Sequence, residues 1–107
     1  MFTPSCLVDG KSIDSPSEDL RLAKRVEQYR VSAKALYLPS GLRWTYIPLS
    51  EIREITESHR SVSAGKCVSV VERRPALEIR TDRDSFKLNL EKAASLETLL
   101  SLINPSV

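Results

Sequence analysis

The sequence is poor in the residues that build catalytic and metal centres. It contains one histidine, two cysteines and three glycines among 107 residues. Neither Cys6 nor Cys67 has a second cysteine or a histidine at zinc-ligand spacing. Small secreted domains usually carry more cysteines than this. Three glycines are too few for a glycine-rich phosphate loop, and Cys67 stands where the Gly65-Lys66 pair would need Ser or Thr. No metal or cofactor site is predicted.

The remaining chemical candidates have simpler explanations. His59 lies in a polar segment with Glu57 and several serines, which is typical of a surface histidine. Cys67 adjoins valines, which is typical of a small core residue. The sequence therefore predicts a protein that is not an enzyme.

Long hydrophobic runs and a signal peptide are also missing. No window approaches the roughly 18 apolar residues that cross a membrane. The first residues lack the basic and apolar regions of a signal peptide. A cytoplasmic protein with reduced Cys6 and Cys67 is expected. Its length and its 41% hydrophobic residues fit a single folded domain over residues 1–107.

The charge is small but uneven. The net charge is +2, yet residues 21–50 carry six bases and one acid. The sequence pI is near 8.7, whereas most nucleic-acid-binding domains have a pI above about 9. The basic side chains Arg21, Lys24 and Arg25 are nevertheless candidates for contact with an anionic surface, with Arg30 and Lys34 beside them.

The N-terminal region predicts a turn and a helix. Asp9-Gly10 is typical of a type I′ hairpin turn. Ser15 in front of Pro16, with Glu18 three residues after the serine, predicts a capping box and a helix over residues 16–27. Leu22, Val26 and Tyr29 would form its apolar stripe.

The middle of the chain predicts short strands. Two of them include residues 29–31 and 36–38 and lie on either side of Ala33-Lys34, and a third covers residues 42–49. Residues 52–56 form another short strand, with a helical turn over 49–53 as an alternative. Residues 57–65 are expected to form a mobile loop. Strands over 66–72, 76–81 and 86–90 follow as an antiparallel meander, with turns at 73–75 and 82–84.

The C-terminal residues 91–103 predict an amphipathic helix. Leu96, Leu99, Leu100 and Ile103 recur at helical spacing and define one buried face. Asn89 is a candidate N-cap, and Asn104-Pro105 would end the helix.

This order of elements resembles a pleckstrin-homology-like barrel, in particular the small bacterial proteins of that group. Residues 29–38 resemble the first hairpin, 46–52 the "hydrophobic-Pro-Leu-Ser-x-Ile" strand end, and 86–103 the last strand and closing helix. The resemblance implies an α+β, mainly β fold over residues 28–104. Its bent sheet would have seven strands closed by the helix, and residues 1–27 would be an extension. The connection at Ala33-Lys34 is too short and too weakly basic for the lipid-headgroup site of lipid-binding members.

The strand over 42–49 is apolar on both faces, which a strand with one buried face would not be. Trp44 and Tyr46 share one side, and Tyr37 opposes its apolar neighbours in a similar way. Either the N-terminal helix covers these aromatic residues, or they form a contact for a protein partner or a second copy of the chain.

The leading hypothesis is a non-enzymatic interaction module that binds protein or self-associates. Peripheral binding to lipid or nucleic acid through Arg21, Lys24 and Arg25 is the alternative. A small-molecule enzyme would need an apolar pocket with convergent polar groups, which a sequence cannot show.

Overall fold

The computed structural model describes residues 3–63 and 71–103, and the side chains of all of these except 59–63 and 71–73. These described residues form eight strands, two α-helices and a short 3-10 helix over Leu49–Glu51. The elements, in chain order, are β1 (Ser5–Cys6), α1 (Pro16–Leu22), β2 (Lys24–Val26), β3 (Tyr29–Val31), β4 (Ala35–Ser40), β5 (Arg43–Pro48), β6 (Glu54–Ser63), β7 (Val71–Arg80), β8 (Ser85–Asn89) and α2 (Ala93–Ile103).

The strands form two sheets. The first has the order β1-β5-β4-β3-β2 and the second the order β6-β7-β8. Consecutive strands within each sheet pair antiparallel, whereas β1 pairs parallel to β5. Within the described residues no strand ladder joins the two sheets. The fold is therefore mainly β with two helices, as expected, in the form of two sheets and not of one closed barrel.

The first sheet has two apolar faces because its register separates two sets of side chains. Residues that are paired across strands lie on the same face. One row is Val31, Leu36 and Ile47; the neighbouring row is Arg30, Tyr37 and Tyr46, continued by Cys6 of β1. The first row belongs to the main core, and the tyrosines belong to a second cluster. The prediction of a two-faced strand is confirmed.

The main core lies between the sheets and α2. Leu77, Ile79 and Leu88 of the second sheet are fully buried in it. From α2, Leu99 is fully buried and Ile103 is 8% exposed, with Leu96 and Leu100 packed beside them. The predicted C-terminal helix and its apolar stripe are confirmed. It begins at Ala93, and Asn89 is not its cap because that residue ends β8.

The residues that lead into α2 are held by a residue from the first sheet. The Glu27 carboxylate accepts hydrogen bonds from the backbone N–H groups of Glu91, at 2.8 and 3.1 Å, and of Lys92, at 3.2 Å. The backbone of Asn89 bonds to the Tyr29 hydroxyl as both donor and acceptor. These contacts connect the β2–β3 turn to the β8–α2 junction.

The predicted N-terminal helix is too long. It ends at Leu22 and not at residue 27, because residues 24–26 pair with β3 as a strand. Val26 and Tyr29 are buried from strands, whereas Leu22 is 85% exposed. Backbone pairing in a sheet thus outweighs the helical spacing of these three residues.

The predicted N-terminal turn geometries also differ from the structure. Ser15 has a left-handed backbone, and its side chain makes no cap hydrogen bond. Asp9-Gly10 does form a turn, closed from Lys11 N–H to the Val8 carbonyl. Only Gly10 of the pair has a positive φ. A type I′ turn and a hairpin are therefore absent there, and β1 pairs with β5 instead.

The second sheet differs from the prediction in its long hairpin, formed by β6 and β7. Residues 57–63 were expected to be a mobile loop and instead continue β6, paired with β7. The turn expected at Arg73-Arg74-Pro75 is wrong, since these residues lie within β7. The proline is tolerated because β8 pairs with β7 only from Ala76 onward. The turn at 82–84 and the strand over 86–90 are confirmed. The strand predicted over 66–70, with Cys67, and the stop at Asn104-Pro105 lie outside the described residues.

Candidate functional site

The N-terminal segment covers the aromatic face of the first sheet. Tyr37 and Tyr46 are 0% and 1% exposed, with ring centroids 5.6 Å apart. Ile13 and Leu20 pack against them, as does Trp44, which stays half-buried. Of the two alternatives left by the sequence, the chain itself covers Tyr37 and Tyr46. These two tyrosines are therefore not surface contacts, and a partner-binding role remains a prediction for Trp44.

Polar contacts fix α1 on the sheet. The Tyr37 hydroxyl and the Ser32 hydroxyl each donate to the Asp19 carboxylate at 2.5 Å. The backbone N–H of Ile13 donates to the Tyr46 hydroxyl at 3.1 Å. Burial, together with the hydrogen bond to Asp19 and its negative charge, raises the pKa of Tyr37 far above its usual value of 10.0. The phenol therefore stays neutral and keeps its proton for Asp19.

A groove opens where α1 meets the sheet. It has a volume of about 370 Å³ and is lined chiefly by Leu20, Arg21, Arg30, Leu42, Arg43 and Trp44. We call it the Arg–Trp groove. Helix α1, strand β3, and strand β5 with the turn before it each contribute to its wall. Among the described residues that line it, none is acidic.

Trp44 and Arg30 are in direct contact in this groove. The guanidinium carbon of Arg30 lies 5.1 Å from the centre of the Trp44 ring, which is a cation–π arrangement. Within residues 3–63 and 71–103, neither Arg21 nor Arg30 forms an ion pair with a carboxylate. Both guanidinium groups therefore keep hydrogen-bond donors for an external anion.

Two large apolar side chains near the groove face solvent. Leu42 is 96% exposed and lines the groove, and Leu22 is 85% exposed and follows Arg21 in the chain. Leu42 follows Gly41, which lies in the β4–β5 turn and has a φ of 63°. Burial of either leucine by a partner would be favourable, because each now keeps its side chain in water.

The predicted basic set is divided by the fold. Arg21 lies on α1 and lines the groove, whereas Lys24 and Arg25 lie on β2 and do not. Lys24 and Arg25 are consecutive in a strand, so their side chains leave opposite faces of the sheet. The Arg25 guanidinium donates to the Glu27 carbonyl at 3.0 Å. The three residues thus form no single face.

The groove unites residues that the sequence had assigned to separate surfaces. Arg21 came from the basic set predicted to contact an anionic surface, and Trp44 came from the predicted protein contact. Arg43 was missed, although its position next to Trp44 at the start of a strand is a visible signal. Its contribution depends on α1 folding back over β5, which no local pattern encodes.

Other parts of the chain offer weaker sites. A hollow of about 240 Å³ is lined by Asp9, Asp82 and Asp84 but also by Lys11 and Arg83, so its charges are mixed. Asp82 is already paired with Arg53 at 2.9 Å, and the bond to Arg53 holds the pKa of that carboxyl below its usual value of 3.8. Among the described residues, no group of three or more His, Cys, Asp or Glu is placed so that it could hold a metal ion.

Comparisons of the chain with protein-family models, with curated proteins and with solved structures find no match. In the described part of the chain, neither helix has the length and apolar character needed to cross a membrane.

Proposed function

We propose that the chain is a non-enzymatic interaction module on a pleckstrin-homology-like fold, and that it binds a protein partner through the Arg–Trp groove. The strand order supports the fold assignment. Residues 24–103 contain four antiparallel strands, then three more, then a helix packed on the core between them. This is the order expected of such a domain, with the N-terminal segment and β1 added to the outside of its first sheet.

One observation carries the proposed function. Arginine and tryptophan are the residue types most enriched at the energetic centres of protein interfaces. Here three arginines and the chain's one tryptophan line the same groove beside a leucine that is 96% exposed. A partner that covers Leu42 together with the half-buried Trp44 would remove apolar surface from water, which favours binding at this groove.

Self-association is one form of the same proposal, in which the partner is a second copy of the chain. Binding of lipid or nucleic acid is favoured less. The fold disperses Arg21, Lys24 and Arg25 instead of presenting them together, and a membrane or a nucleic-acid backbone requires an extended basic surface.

Photo-crosslinking tests the proposed function for a protein partner of any identity. Benzoylphenylalanine replaces Leu42, whose side chain lies in solvent, and in a matched chain it replaces Arg83, which is exposed in the β7–β8 turn. We expect a discrete protein adduct from position 42 that is weaker when Arg21→Gln is added, and none from position 83.

Light scattering over a range of concentrations then separates the two forms of the proposal. A mass that rises from monomer to dimer, and does not do so in Trp44→Ala, identifies the partner as a second copy. A constant monomer mass together with the adduct identifies a different protein. Absence of any protein adduct at position 42, or equal adducts at both positions, refutes the proposed function.

A further inference from the structure

We infer that the partner presents to the Arg–Trp groove an extended acidic segment with one large apolar side chain between its carboxylates. This inference rests on the proposed function and specifies the chemistry of what is bound. It follows from the charge of the groove, from its apolar residues and from its size.

The charge of the groove requires an anionic group. Arg21, Arg30 and Arg43 line one hollow, and no acidic side chain described by the structure shares that lining. The cations are all arginine, whose planar guanidinium matches a carboxylate through two parallel hydrogen bonds. The hollow is thus more basic than the chain as a whole, whose net charge is +2.

The apolar residues require that the ligand is not purely anionic. Leu42 is 96% exposed, Trp44 is half-buried and Leu20 lies beside them. The Arg30 guanidinium lies over the Trp44 ring. An incoming carboxylate can therefore bond to Arg30 while a neighbouring apolar side chain covers Leu42. Acidic residues on both sides of one large apolar residue supply this combination.

The size of the groove favours a segment over a broad surface. Its volume of about 370 Å³ lies in the range of pockets that hold a small ligand, roughly 300–1,000 Å³. A standard interface between folded proteins is wide and flat, at about 800 Å² for each partner. One large apolar side chain with its flanking carboxylates fits a hollow of this volume.

Nucleic acid fits the same cations less well. Proteins that bind single strands combine aromatic stacking with a basic groove that follows the backbone over several nucleotides. Here the basic residues are confined to one hollow. Glu18 lines an adjacent depression with Arg21 and Leu22, so the basic lining does not continue past Arg21 for a nucleic-acid backbone to follow.

The test uses synthetic peptides and the full chain. The probe set consists of short fluorescein-labelled peptides in which aspartate and glutamate flank one phenylalanine or leucine. The controls are the same peptides with serine as the central residue, the same peptides with lysine for each acid, an oligothymidylate, and vesicles that contain phosphatidylserine. Binding is followed by anisotropy and, with unlabelled peptides, by the emission of Trp44, the single tryptophan.

The variants are chosen so that folding is preserved. Leu42→Ser and Arg21→Gln change exposed side chains of the groove, and Arg83→Gln removes the same charge from an exposed turn elsewhere. We expect Leu42→Ser to weaken the acidic phenylalanine peptide by about tenfold and Arg21→Gln to weaken it by about two- to fivefold. Arg83→Gln should leave the affinity unchanged, and binding should fall as salt rises.

Specific outcomes would overturn the inference. They are no binding of any acidic peptide at millimolar concentration, equal binding of the serine peptides, equal weakening by Arg83→Gln, or tighter groove-dependent binding of the oligothymidylate or the vesicles. If the protein adduct at position 42 is present while the acidic peptides do not bind, the interaction module stands and the acidic segment is refuted. If that adduct is absent, the proposed function itself fails.

Discussion

Removal of the Glu27 carboxylate should destabilise the whole domain, although Glu27 lies in a two-residue turn. Its carboxylate accepts hydrogen bonds from two backbone N–H groups, that of Glu91 at 2.8 and 3.1 Å and that of Lys92 at 3.2 Å. It therefore fixes the residues that lead into α2 from another part of the fold. Each hydrogen bond contributes about 0.5–1.5 kcal/mol. The charge adds about 0.3–1 kcal/mol through the helix dipole.

The conformation of Glu27 gives this prediction a second part. Its φ is 53°, a left-handed backbone conformation that is unfavourable for a residue with a side chain. Glu27→Ala loses these hydrogen bonds and keeps this strain, so the free energy of unfolding should fall by about 1–3 kcal/mol. Glu27→Gly loses the hydrogen bonds but relieves the strain, and should be more stable than Glu27→Ala by up to about 1 kcal/mol.

Urea denaturation of the wild type, Glu27→Ala, Glu27→Gly and Glu27→Gln measures these differences. Burial alone would raise the pKa of Glu27, but hydrogen bonds from Ser95, Glu91 and Lys92 lower it below its usual value of 4.5. The folded pKa is lower than the unfolded one, so this stability is present above pH 4.5 and is lost as the pH falls through the folded pKa. The advantage of the wild type over Glu27→Gln should therefore disappear in acid. Equal stability of all four proteins at neutral pH, or a constant difference in acid, would refute the stabilising role of the Glu27 carboxylate.

Three further perturbations address the core, α1 and its attachment. Leu99→Ala removes a fully buried side chain of α2 and should cost about 2–5 kcal/mol in urea denaturation; a cost below about 1 kcal/mol would contradict the packing of α2. Tyr37→Phe removes a donor to Asp19 and should cost about 1–3 kcal/mol. Because the pKa of Tyr37 is raised in the folded state, wild-type stability should fall above pH 10, and by less in Tyr37→Phe; equal slopes would contradict this. Asp19→Ala should loosen α1 and increase acrylamide quenching of Trp44, whereas unchanged quenching would show that α1 is held without Asp19.

Local patterns predicted the elements whose burial follows from their own period. The leucines of α2 recur at helical spacing, so the sequence predicted both the helix and its buried face. The lack of apolar–polar alternation over residues 42–49 likewise predicted a strand with two apolar sides. Composition and spacing also defined the mainly β class, since these signals require only neighbouring residues.

Where local signals conflicted, the tertiary structure decided which element formed. Val26 follows Leu22 at helical spacing, yet residues 24–26 pair with β3, because the sheet hydrogen bonds outweigh helix propensity there. Local patterns predict a loop at residues 57–63 and a turn at Arg73-Arg74-Pro75. Both segments are strands in the structure because they pair with each other. A pattern of neighbouring residues does not reveal pairing between segments that are separated in the chain.

The candidate site depended even more on tertiary structure. The sequence identified Trp44 and Arg21 individually but placed them on separate surfaces. They meet because α1 folds back over the first sheet, where Asp19 bonds to Tyr37 and Ser32. The sequence by itself determined the periods of the elements and the character of their side chains. Only the folded chain decided which side chains share the groove, because that depends on long-range packing and hydrogen bonds.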